Sequence, residues 1–438
     1  MFDLAIKGSR IITPEGIQPA VVLIKDGLIA DVATVIPGDA VKKIIDIQDY
    51  VLMPGITDPH VHINEPGRTD WEGFTTATCA ALASGITTLV DMPLNAHPVT
   101  TTVAALEEKI TAANLFTNCG YWGGVVPGNV NELEPLIEHG VLGFKAFLTH
   151  SGIDDFPNVT AEDLRKAMPV IAKHGLPLLV HCELSTPVPS SIVGTYSAYL
   201  ASRPAAWEEN AIAMMIRLCE EFNCRVHIVH LSAASALPQI IKAKAEGLPL
   251  TVETAQHYLY FNAENIPDGN MAFKCAPPIR EQANNELLWL ALKSGIIDMV
   301  ATDHSPSPAN LKQGDYLQSW GGISSLQLAL PALWTAARKR NVSLTQLAQW
   351  LCTAPTVLAG TQNYKGKIAK GYDADLVIWN PDQSFTVIPE NLQHKHPITP
   401  YAHETLDGVV LQTYLKGVKV YDEGVYTGAP RGQNILRS

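Results

Sequence analysis

Eight short apolar runs recur along the middle of this 438-residue chain, and they limit its fold more than any other feature. They are VLMPGITDPHVHI (51–63), ITTLVDMP (86–93), TNCGYWGGV (117–125), VLGFKAFL (141–148), LPLLVHCE (176–183), CRVHIVHLS (224–232), LPLTVETAQH (248–257) and IIDMVATDH (296–304). Amphipathic stretches such as AEDLRKAMPVIAKHG and WEENAIAMMIRLCEEFN separate most of them. Short runs rich in β-branched residues, alternating with helix-period segments, predict parallel strands covered by helices. Eight such units over about 300 residues predict an α/β fold of the TIM type, a (β/α)8 barrel. A doubly wound sheet usually has fewer strands and wants a Gly-rich phosphate turn, which this chain lacks.

The two ends have a different texture. Residues 1–50 carry β-patterned runs, DLAIKGSRIIT and AVVLIKDGLIADVAT, with KDG as the turn; the pattern returns in DADLVIWN and VVLQTYLKGVKVYDEG. The expected organisation is a small β-sandwich made from 1–52 and 365–438, the latter with a C-terminal tail, interrupted by the barrel over 53–364.

Apolar residues make up 47 % of the chain, enough to build one large core and a small one without disulfides. A net charge of −12 with no basic run argues against nucleic acid and anionic membrane as partners. The seven cysteines are scattered, with no CxxC pair, which is the usage of a reducing compartment. MFDLAIKGSR does not read as a secretory signal, and no apolar run approaches the ~18 residues of a membrane span. The expected location is the cytoplasm.

Ionisable residues gather at the C-terminal ends of the runs. His60 and His62 end run one, Lys145 lies in run four, His181 ends run five, His230 ends run six and Asp303 ends run eight. In a barrel those ends meet on one face, where catalytic groups sit. Residues 60 and 62 point the same way on a strand, so both rings can reach one metal ion. The two histidines of VHIVHLS are three apart and face opposite sides; His230, nearer the strand end, is the one assigned to the site. Each residue alone has an ordinary structural explanation, such as a capping Asp303 or a snorkelling Lys145. Four His, one Lys and one Asp on five ends of one barrel do not.

Imidazoles and carboxylates suit Zn²⁺ and related divalent ions. A protonated lysine beside two dications would be strongly disfavoured. Carboxylated by CO2, Lys145 becomes an anion with two oxygens, able to bridge both ions and leave the centre electrophilic enough to acidify water and polarise a carbonyl.

With these motifs the chain resembles the cyclic amidohydrolases, the family of dihydroorotases, hydantoinases (dihydropyrimidinases) and allantoinases. The likeness runs through MPGITDPHVHINEPG, GFKAFL, VHCE, VHLS, VETAQHYL, APPIRE, ATDHSP and GKIAKGYDADLVIW, in the family's order. It implies that His60 and His62 bind a first metal, that His181 and His230 bind a second, and that carboxylated Lys145 bridges them. Asp303 would ligate the first metal and shuttle a proton. Within the family the chain is most similar to the allantoinase branch. Asn64 stands where dihydroorotases carry an Arg suited to a substrate carboxylate, and an amide suits a neutral ureido group instead. NEPGRTDWEGF and the SPSP…WGGISSLQ stretch carry the same likeness, and His150 stands where hydantoinases have a Tyr.

The resemblance therefore implies hydrolysis of the hydantoin ring of allantoin to allantoate, in purine breakdown, by a metal-bridging hydroxide. Asp303 would act as general base and then general acid. Zn is the first expectation for the two ions, with Co, Mn, Fe or Ni admitted. Asn64, Asn95 and the backbone at Cys275, Ala276, Gly321 and Gly322 are the expected substrate contacts. His257 and His304 are expected to support the site, and a homotetramer is the expected assembly. A hydantoinase or dihydroorotase activity is the alternative, and a non-catalytic scaffold a distant one.

Overall fold

The computed structural model describes residues 1–38, 40–187 and 194–437. All eight runs form parallel strands: β1 (Ile56–Val61), β2 (Ile86–Asp91), β3 (Asn118–Tyr121, resuming at Gly123–Gly124), β4 (Phe144–Phe147), β5 (Pro177–His181), β6 (Arg225–Ile228), β7 (Leu250–Ala255) and β8 (Met299–Ala301). Each pairs with the next in parallel register. The ring closes where Val61 bridges His304 and the His62 N–H donates to the His304 carbonyl at 2.8 Å. One carboxylate oxygen of Asp58 accepts from the N–H groups of His60 (3.1 Å) and Thr302 (3.3 Å), stitching β8 to β1. The chain is thus an eight-stranded barrel with helices outside it.

The strands are buried on both faces, as parallel strands in a covered barrel must be. Inside the barrel Val90, Trp122, Leu179, Val229 and Met299 pack together. Outside it the helices present apolar stripes. Helix Ala161–Lys173 buries Leu164, Ala167, Met168 and Ile171, and a capping box between Thr160 and Asp163 fixes its start. It ends at Gly175, whose φ of 65° is free of strain only without a Cβ.

Two features depart from the expected organisation. The first run divides at Gly55, where an added Cβ would lie 2.1 Å from Thr87 Oγ1. Val51–Pro54 leaves the barrel and joins the terminal strands, while β1 begins at Ile56. The terminal segments form one continuous nine-stranded sheet, in which Val51–Pro54 sits between Leu4–Thr13 and Leu376–Thr386. Ile6, Val22, Ile24, Leu52, Leu376 and Ile378 fill a separate core there. The tail does not stay with that sheet: Asn434–Ile435 pairs in parallel with Cys119–Gly120 of β3, below the point where β4 takes over. Among the described residues no helix is long and apolar enough to cross a membrane.

Sheet and barrel meet at a buried charge cluster. Lys365 Nζ donates to Asp373 at 2.8 Å and Asp375 at 2.6 Å, and Asp375 also accepts from Lys416 N and Asn118 Nδ2. Removing one partner strands the other charge away from water. Lys365→Met should therefore cost about 3–5 kcal/mol in urea unfolding. An unchanged urea midpoint at unchanged slope would contradict this.

Candidate active site

The C-terminal ends of β1, β5, β6 and β8 open into a cavity of about 390 Å³, within the range of small-molecule sites. His60, His62, His181, His230 and Asp303 all line it. His60 and His62 stand with ring centroids 5.6 Å apart, and His230 lies 5.3 Å from His60 and 4.6 Å from His181. Asp303 Oδ1 is 3.2 Å from His60 Nε2 and 3.7 Å from His62 Nε2. These three residues form a cluster able to hold a cation. Lys145 is fully buried on β4, its Nζ 5.0 Å over the Phe147 ring and without a hydrogen-bond partner among the described residues.

Burial dominates the electrostatics. It drives His62 down to about 4 and His230 well below its ordinary value, with His181, Lys145 and His60 adding to the shift at His230. It lowers His181 too, although Glu183 pulls the other way. Burial thus favours the neutral form of His62, His181 and His230, the form that ligates a metal. Burial brings Lys145 to about 8 against the pull of Glu253 and Asp303. At Asp303 burial favours the acid, but His60 and His62 outweigh it and keep the carboxylate below its usual range.

Three of the four rings are also fixed from behind, while His230 is anchored through its backbone N–H. Glu253, inside β7, accepts from His60 Nδ1 at 2.5 Å, His227 Nε2 at 3.1 Å and the His230 N–H at 3.3 Å, so one carboxylate ties three strands. That leaves His60 Nε2 facing Asp303. His181 Nε2 donates to Glu183 at 2.7 Å, leaving Nδ1 as its free ligating atom. Burial alone would raise Glu183, but Arg203 and His181 lower it to about 2. Asn95 lines the cavity with its amide 3.3 Å from His62 Nδ1. Turned so that Oδ1, otherwise unpaired, faces the ring, it accepts Nδ1–H and leaves Nε2 bare.

Not every expected residue reaches the cavity. His230 lines it; His227 is sealed behind, on Glu253 and on Thr251 at 2.8 Å. Ala276, Gly321, Gly322 and His150 line it as well. Asn64 does not. Its φ of 65° makes it a turn residue, and its amide turns to the Pro306 carbonyl at 3.4 Å. Cys275 also lies behind the wall, its carbonyl taken by the Tyr199 hydroxyl at 2.6 Å. His304 supports the ring closure, its Nδ1 accepting from Ser325 N at 3.0 Å. His257 is buried against Tyr258.

The sequence reading left Glu183, Glu253, Arg203 and Lys274 without roles. A carboxylate inside each of two apolar strand-end motifs, VHCE and VETAQH, was the available signal for the first two. Arg203 and Lys274 sit on irregular segments that carry no periodicity.

Four histidines and an aspartate on the C-terminal face of a parallel barrel are the donor set of a divalent-metal enzyme. A model described as the amidohydrolase family matches residues 51–420. The chain is 48 % identical over 444 residues to an allantoinase of Streptomyces avermitilis, covering 99 % of each. It is 43 % identical to an allantoinase of Arabidopsis thaliana, covering 96 % of this chain and 88 % of that one. Among solved structures, an L-hydantoinase (dihydropyrimidinase) from Arthrobacter aurescens superposes over all of both chains with a TM-score of 0.93 at 28 % identity. The chain belongs to the amidohydrolase family, which implies a divalent metal centre.

Substituting a carboxylate that orients a ligating ring costs metal affinity, by ~10–100-fold where measured elsewhere. Glu253→Gln should lower metal retention on dialysis against a chelator by that order. Retention equal to the unaltered protein would show that His60 needs no such support.

Proposed function

We propose that this chain hydrolyses the hydantoin ring of allantoin to allantoate. The observation that carries this reading is likeness along the full length: allantoinases of a bacterium and a plant share far more of this sequence than the structurally similar hydantoinase does. Hydantoinase or dihydropyrimidinase activity is the second reading, favoured by the closeness of that superposition.

His60, His62 and Asp303 would hold one divalent ion and His181 and His230 a second, with Lys145 shared between them as its N6-carbamate. Zinc is the ion these ligands suit first. Bound there, the ions supply Lewis acidity to the ring carbonyl and to the attacking water. Lys145 fits this part. Its amine is buried, unpartnered and partly neutral near pH 8, so its nitrogen can add CO2 and release a proton. The carbamate gives a dry pocket the anion that a protonated amine could not.

The remaining work falls to the chain's own groups. The Asp303 carboxylate, ionised by its histidine neighbours, accepts the proton of the attacking water and returns it to the leaving ring nitrogen. Without that proton the nitrogen leaves as an amide anion, a very poor leaving group. Asn95 and the backbone of Ala276 and Gly321 stand where a cyclic amide can be paired, whereas the N–H and carbonyl of Gly322 are taken within the protein. The seven cysteines are all free, which supports a reducing, cytoplasmic setting. A homotetramer is the assembly to look for by light scattering.

Steady-state turnover of allantoin, hydantoin, dihydrouracil and dihydroorotate on one preparation separates the readings. The highest kcat/KM is expected for allantoin, and a clear preference for another of the four would overturn the proposal. Lys145→Ala should lose metal and activity together, by more than the ~10–100-fold typical of outer ligands' supports, with partial rescue by a short carboxylic acid. Full activity with two metals retained would remove Lys145 from the centre.

A further inference from the structure

One wall of the cavity is a segment without helix or strand between Gln313 and Ile323, and two lysines hold it. Lys274 is 8 % exposed, and its ammonium donates to the carbonyls of Leu317 (3.3 Å) and Ser319. Lys312 donates to the carbonyls of Trp320 (3.0 Å), Lys274 (3.3 Å) and Gly322. Every hydrogen bond that either ammonium makes among the described residues is to a backbone carbonyl.

That is a costly way to hold a loop. A buried cation without a carboxylate loses hydration that carbonyl dipoles only partly replace. Burial lowers both groups, Lys274 to about 8 and Lys312 to about 7, and each is lowered further by a neighbouring cation: Arg203 beside Lys274, and Lys274 beside Lys312. Lys274 is buried and Lys312 half-buried; an apolar side chain would fill the Lys274 place at lower cost, so that residue makes little sense as a source of stability.

What the pair fixes lies in the site. Trp320, Gly321 and Gly322 line the cavity beside Ala276, where a Cβ added to Gly321 would lie 3.9 Å from the Ala276 Cβ. The Gly322 N–H donates to the Lys274 carbonyl at 2.9 Å, and an added Cβ there would lie 2.5 Å from the Ser305 carbonyl oxygen. Between these anchors the Gly321 N–H and carbonyl have no hydrogen-bond partner among the described residues. A backbone donor and acceptor held open at a cavity wall match a ring amide only while the loop keeps its place.

We propose that Lys274 and Lys312 are positioning residues that clamp the 317–322 loop, so that the Gly321 backbone meets the substrate ring at a fixed distance from the histidine cluster. This rests on the reading of the cavity as the site of cyclic-amide hydrolysis. Neither lysine touches the reacting atoms in this role; both act through the loop.

The test compares Lys312→Met, Lys274→Met and Lys312→Gln with the unaltered enzyme. Three readouts are taken: allantoin kinetics, metal content, and amide hydrogen exchange in 316–323. The methionine variants should keep their metal and lose roughly tenfold or more in kcat/KM, mostly through KM. Exchange should quicken in that segment alone. Lys312→Gln, which retains an N–H donor, should recover part of both effects. Unchanged exchange in the segment would overturn the clamp, as would faster exchange spread over the whole barrel, or a loss borne by kcat with KM unmoved. If the unaltered enzyme fails to turn over allantoin, the functional reading fails, while the exchange data still decide whether the lysines hold the loop.

Discussion

The site depends on one buried amine. Lys145 sits buried on β4 with the Phe147 ring beside it and, among the described residues, no hydrogen-bond partner, although Glu253 and Asp303 pull on its charge from further off. A lysine so placed loses hydration with little to replace it, and it does so among histidines that burial keeps neutral. Below the site the barrel interior packs an apolar cluster, and the C-terminal mouth opens into the cavity that the histidines line. Modified to an anion, the same residue would join the two halves of the donor set; unmodified, it would repel any cation bound beside it.

The histidines are held from behind by groups that never reach the cavity. Glu253 spans β1, β6 and β7 through three hydrogen bonds, and Glu183 joins His181 to Arg203. A ring fixed at one nitrogen presents the other in a single direction, which is how loose side chains become a preorganised site. The substrate wall is held differently. There the donors are the lysine ammonium groups and the acceptors are loop carbonyls, so geometry is imposed on a segment with no regular structure of its own.

How much of this could be read from the amino acids varies with how strictly each part obeys a period. Strand parity puts His60 with His62 and allows only one of His227 and His230 to face the site; nearness to the strand's C-terminal end picks His230, because in a barrel that end has a definite destination. The eight strands and the covering helices were legible for the same reason. Asn64 was read as a substrate contact from its place in the motif, but its left-handed backbone turns the amide toward Pro306. Cys275 is expected beside Ala276 as a backbone contact, yet its carbonyl is taken by the Tyr199 hydroxyl, and only Ala276 lines the cavity. The C-terminal tail carries no pattern that assigns it a partner, and long-range packing puts Asn434–Ile435 beside β3. Lys274 and Lys312 left no pattern at all, since a loop has no repeat to betray which side chains point inward.

The chemical state of Lys145 decides whether the two halves of the donor set can be joined, and isotopic labelling reads it directly. Enzyme assembled with its metal in the presence of ¹³C-bicarbonate and examined by ¹³C NMR should show one carbamate carbon per chain. That signal should be absent from Lys145→Ala and should disappear when the metal is removed. A fully active, metal-loaded preparation with no carbamate signal would contradict it.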